Sequence, residues 1–75
     1  MAAGQLAELK VQAEDLRIEL RGLRDSIRVQ LYEFRPVEDI DGQVVAEQSI
    51  RLAARLIDYR EVRSQIEAIR RALGR

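Results

Sequence analysis

Three carboxylates fall within four positions in the stretch EFRPVEDIDGQ, residues 33–43: Glu38, Asp39 and Asp41, with Gly42 directly after them. Oxygen ligands at alternate positions ahead of a glycine are what a calcium loop uses, and Asp39, Asp41 and Gly42 match positions 3, 5 and 6 of an EF-hand loop. The remainder of that loop is missing. Its first position is Val37 and its twelfth is Gln48, so neither the first ligand nor the bidentate glutamate is present. The same acids suit a second role: Asp39 or Asp41 caps a following helix, and Glu38 and the aspartates favour the positive end of its dipole. No metal or other cofactor is expected.

Nucleophilic chemistry has little to draw on. The serines are Ser26, Ser49 and Ser64, and the chain has no Cys, Thr or His, so no imidazole can activate a hydroxyl. Glu61 and Glu67 read as helix partners of the arginines near them, Arg63, Arg70 and Arg71. The words RPVEDID, Arg35 to Asp41, resemble the start of the second helix in the all-α class of chorismate mutase. That resemblance implies a helical fold and an Arg and a Glu contacting substrate after the motif. Here those positions hold Gly42 and Gln43, with Asp39 retained, and glycine supplies no guanidinium. The departure removes the part that carries chemistry, and a non-enzymatic protein is expected.

The Arg-rich end, YREVRSQIEAIRRALGR, offers a candidate anion contact through Arg60, Arg63, Arg70, Arg71 and Arg75. Cations near a helix C-terminus also complement the helix dipole, and only Tyr59 is at hand for base stacking. Nucleic-acid binding is therefore the second reading of function. Over the whole chain 13 basic and 13 acidic residues cancel, so the molecule projects no strong net field. Locally, residues 36–59 carry two basic and five acidic groups, and residues 60–75 carry five basic and two acidic.

A chain of 75 residues without cysteine has room for one domain and few means of reinforcing a small core. With 35% charged, 47% apolar and 4% aromatic residues, the composition points to long helices. No stretch reaches the roughly 20 apolar residues of a membrane span, and MAAGQLAELK has no basic region followed by an apolar run. A cytoplasmic protein with no membrane contact is the expectation.

What positions these residues is a heptad pattern. Leu6, Ala13, Leu20, Ile27 and Phe34 fall at position a, with Leu9, Leu16, Leu23 and Gln30 at d. Position e then reads Lys10, Arg17, Arg24 and Leu31, and position g reads Gln5, Gln12, Glu19, Ser26 and Glu33. If this helix meets its own copy, a parallel pair is favoured, because Glu19 then faces Arg24 whereas an antiparallel pair sets basic groups together. Gln30 in the seam either fixes register or lies wet near its end. In the second segment Val45, Leu52, Leu56, Tyr59, Val62, Ile66, Ile69 and Leu73 share a face whose phase shifts, as a stammer does, between Leu56 and Val62. A second stripe, Ala46, Ile50, Ala53 and Ile57, lies beside it, and Val11 and Ile18 lie away from the first seam.

Pro36 breaks the pattern and places the end of helix one near Phe34 or Arg35. The expected fold is all-α: a single antiparallel hairpin domain with helix one at about 5–35, a turn at 36–40 and helix two at about 41–73. Tyr32, Phe34 and Val37 are expected to plug the closed end. The surplus apolar residues Ala46, Ile50, Ala53, Ile57, Val11 and Ile18 form a candidate interface. They would pair hairpins as a homodimer or higher homo-oligomer, in a four-helix bundle or coiled coil, or bind a larger protein. The function so read is a small self-associating scaffold or regulatory subunit.

Overall fold

The computed structural model describes residues 2–74. Helix α1 spans Ala2–Gln30, a 3-10 turn spans Val37–Asp39, and helix α2 spans Gly42–Leu73. No strand occurs among the described residues. At about 1.5 Å per residue the helices are roughly 44 and 48 Å long. They lie side by side, α2 running back along α1, in a rod of 57 × 17 × 15 Å.

Burial shows why these segments are helical. Along α1 the residues shielded from solvent include Leu6, Leu9, Ala13, Leu16, Leu20, Leu23, Ile27 and Gln30, spaced alternately three and four apart, with Ser26 beside them. Along α2 they include Val45, Gln48, Leu52, Arg55, Tyr59, Val62, Ile66 and Ile69, with the same alternation. Each helix thus buries one narrow a/d stripe against the other, the geometry of an antiparallel coiled coil. The stammer expected between Leu56 and Val62 does not occur. Gln48 and Arg55 hold the d positions that the apolar residues leave vacant, so the heptad runs unbroken and Leu56 only flanks it.

Two helices enclose little. The buried apolar residues are Ala13, Leu23 and Ile66, and the rest of the seam is half-exposed. Ala13 shares a groove with Tyr59 and Ile66, a small residue set against two large ones.

The chain reverses over more residues than Pro36 alone would require. Helix α1 ends at Gln30, not near Phe34 or Arg35. The side chains account for this early stop. The carboxamide oxygen of Gln30 accepts from the backbone N–H of Asp41 at 3.3 Å, which ties the end of α1 to the start of α2. Arg35 Nε donates to the carbonyl of Val29 at 3.2 Å and satisfies one acceptor freed by the helix end. Gln30 therefore serves as a clasp between the two helix ends. Tyr32, Phe34 and Val37 do not plug the closed end, because the early stop turns them outward, and Phe34 and Val37 are 76% and 80% exposed. Ile40 is the apolar residue of residues 31–41 that turns inward.

Asp41 caps α2, its carboxylate accepting from the N–H of Val44 at 3.1 Å. Asp41→Ala is expected to lower stability by about 1 kcal/mol, and Asp41→Asn by much less, because the amide oxygen still accepts. Equal urea midpoints for the two variants would remove the cap from this account.

Candidate interaction surfaces

Inside the seam the helices are joined by two polar contacts. Gln48 donates its amide to the hydroxyl of Ser26. Arg55 reaches both Glu19, at 3.4 Å from Nε, and Asp58, at 3.0 Å from a terminal nitrogen. The contact between Nε and Glu19 is an ion pair without hydrogen-bond alignment. Glu19 therefore meets Arg55 of the antiparallel neighbour, and Arg24 instead contacts Asp25 at 2.9 Å. No arrangement here activates a nucleophile: Ser26 accepts from an amide that cannot take its proton. Among the described residues no group of three or more His, Cys, Asp or Glu side chains gathers as a metal site.

The remaining surface has four sides, each set by heptad position. Position f points away from the partner helix, so the outer edge of α1 carries Val11 and Ile18 and the outer edge of α2 carries Ile50 and Ile57. All four are well exposed, Ile50 at 71% and Ile57 at 65%. The two rows stand on opposite edges of the rod and form no single patch. Ala46 and Ala53 are exposed at position b, between the α2 edge and one broad face.

The two broad faces differ in charge. Positions e and b of both helices form one of them, as the shared grooves show: Arg17, Arg21 and Arg24 line a groove with Leu52 and Leu56, and Lys10 lines another with Arg63. On α1 this face carries Lys10, Arg17, Arg21, Arg24 and Arg28, and on α2 it carries Arg60, Arg63 and Arg70. Only Glu14 and Glu67 oppose them there, leaving six net positive charges. Positions g and c form the other face, where Gln5, Glu8 and Gln12 line a groove with Gln65 and Ala68. It carries Glu8, Asp15 and Glu19 from α1 and Glu47, Asp58 and Glu61 from α2, against Arg51 and the guanidinium of Arg55, which reaches Glu19 and Asp58 from the seam, for four net negative charges.

The neutral total conceals this division. Of the candidate anion contacts, Arg60, Arg63 and Arg70 belong to the basic face, Arg71 sits on the α2 edge, and Arg75 lies outside the described residues. The arginines of that end are thus divided between two sides of the rod, and most of the basic face comes from α1. Arg21 and Arg28 stand at b, outside the e and g rows that flank the seam, and join the other cations only through the pairing of α1 with α2. The pairs expected of Glu61 and Glu67 with Arg63, Arg70 and Arg71 are not formed. Exposed pairs of that kind gain too little to hold long side chains in place.

Comparison with protein-family models, with curated proteins and with solved structures gave no match. Neither helix is long and apolar enough to cross a membrane.

Proposed function

We propose that this chain is a non-enzymatic protein–protein interaction module, a small helical hairpin that assembles with copies of itself as a scaffold or accessory subunit. The observation that supports this reading is its surface. A compact monomer of 8.6 kDa exposes about 4,700 Å², whereas the hairpin exposes 5889 Å². The excess, roughly 1,200 Å², is the total area that a small specific interface buries. Part of it lies in apolar side chains that the seam leaves uncovered, including Ile50 and Ile57. In this reading the seam residues hold the hairpin, and Ala46, Ile50, Ala53 and Ile57 contact another copy.

Absolute mass by light scattering over a tenfold range of concentration tests the reading, a dimer or larger species being the expected result. A folded monomer throughout that range would overturn it. Ile50→Asp or Ile57→Asp is expected to weaken assembly with little loss of helix, because both side chains face solvent in the hairpin. Leu20→Asp is expected to lose helix as well, since Leu20 is half-buried in the seam. Equal loss of helix in all three would count against a separate interface.

A further inference from the structure

We propose that copies of the hairpin stack heterologously, the basic broad face of one resting on the acidic broad face of the next. This rests on the self-association proposed above and gives it a direction. The two faces oppose each other across a rod only 15 Å thick. That thickness still exceeds the Debye length of about 8 Å at physiological ionic strength. The charges therefore do not compensate one another through the molecule, and each face meets a partner as a strongly charged surface.

Few of these charges are satisfied within the chain. On the basic face Arg17 reaches Glu14 at 3.9 Å and Arg24 reaches Asp25 at the edge, while Lys10, Arg21, Arg28, Arg60, Arg63 and Arg70 make no ion pair with a described residue. Glu8, Asp15, Glu47 and Glu61 on the acidic face are likewise without a cationic partner among the described residues. A two-fold dimer through either broad face would set like charges together, which costs several kcal/mol when juxtaposed at an interface. Turning the second copy so that unlike faces meet removes that conflict and uses both faces of every copy.

Shape agrees with charge. An outline of 57 × 17 Å provides more than the roughly 800 Å² per partner that a standard interface covers. The groove lined by Leu20, Leu52 and Leu56 supplies apolar contact at the centre of the basic face. Ala46 and Ala53 border that face with small side chains, so a stacked copy covers them and leaves Ile50 and Ile57 at its rim. A polyanion such as nucleic acid would engage the basic face but leaves the acidic one without a role, which is why the second copy is the favoured occupant. Because the contact is head-to-tail, it propagates into an open stack or closes as a ring, depending on the rotation between copies.

Two charge-reversed proteins test this. One carries Lys10→Glu, Arg17→Glu, Arg21→Glu, Arg24→Glu and Arg28→Glu, which turns the basic face net acidic and so presents acid on both faces; the other carries Glu8→Arg, Asp15→Arg, Glu47→Arg and Glu61→Arg, and presents base on both. None of these residues makes a cross-helix ion pair, so far-UV circular dichroism is expected to match the wild type; should it fall, the corresponding glutamine sets replace them. Sedimentation velocity is expected to show wild-type assemblies that dissociate as salt rises to about 0.5 M. Each reversed protein alone is expected to associate about tenfold or more weakly, and an equimolar mixture to regain large species at low salt. Reversed proteins that assemble like the wild type, with no response to mixing, would overturn the stacking yet leave self-association standing. A wild type that is monomeric at every concentration would remove both, and retention of that monomer on duplex DNA would reassign the basic face to a polyanion.

Discussion

Ile66→Ala is expected to lower the stability of the hairpin by about 2–5 kcal/mol, the usual cost of removing a large aliphatic side chain from a filled site. Ile66 has no exposed surface, the one large side chain in the seam of which this is true. A chain of 75 residues commands roughly 4–11 kcal/mol in total, and one without disulfide or metal sits toward the lower end. The loss is therefore comparable to the whole, and the variant is expected to be largely unfolded at room temperature by circular dichroism. Ile57→Ala makes the matching control, since Ile57 is solvent-facing and its truncation should move a urea midpoint measured in dilute protein by little. If both variants unfold at the same urea concentration, Ile66 is not the centre of the core. Concentration matters to the comparison: self-association stabilises the folded state by mass action, and Ile57 belongs to the proposed interface.

The contrast between these two isoleucines also shows how far the sequence could be read. Both sit on one helix with apolar neighbours at helical spacing, and the alternation of three and four assigns Ile66 to the seam and Ile57 outside it. That periodicity gives the two helices, the break at Pro36 with its short link gives their antiparallel packing, and of the two expected caps, Asp39 and Asp41, the structure uses Asp41. Periodicity misplaced the features that depend on side chains meeting across the chain. Apolar periodicity does not mark Gln48 and Arg55 as seam residues, yet Ser26, Glu19 and Asp58 give them polar partners and permit half-burial there. Pro36 is the visible breaker in the sequence and points to a helix end near Phe34 or Arg35. The actual stop comes from Gln30 and Arg35, whose side chains reach backbone groups 11 and six residues away. The division of charge between the broad faces was hidden for a related reason: counting along the chain mixes residues that project in opposite directions. Only the pairing of α1 with α2 brings Arg17, Arg21 and Arg24 onto one face with Arg63.

Gln48→Leu is the second substitution with a large expected effect, and its direction is the opposite one. Gln48 occupies a d position, where its amide nitrogen donates to Ser26 and its carbonyl oxygen is shielded without a partner. Exchanging the amide's two ends would let the oxygen accept from the hydroxyl but would orphan the nitrogen, so one polar group is left unmet in either orientation. A shielded, unpaired polar group costs about 1–3 kcal/mol, against about 1 kcal/mol returned by the bond to Ser26. Leucine removes the orphan and extends the apolar seam between Val45 and Leu52, and a net gain of about 1 kcal/mol or more is expected. Urea denaturation reads this as a higher midpoint with an unchanged slope. A lower midpoint would mean that the contact with Ser26 outweighs the orphan. Stability is only half of the expectation, because a polar residue at a seam position restricts which helices can pair and in which register. With Gln48→Leu and Arg55→Leu combined, α2 presents an uninterrupted apolar stripe to any helix, including α2 of another copy. The double variant is therefore expected to be more stable and less uniform in mass than the wild type. A double variant that kept one sharp wild-type mass would show that the turn and the clasp between Gln30 and Asp41 suffice to specify the hairpin, leaving Gln48 and Arg55 no part in the choice of partner.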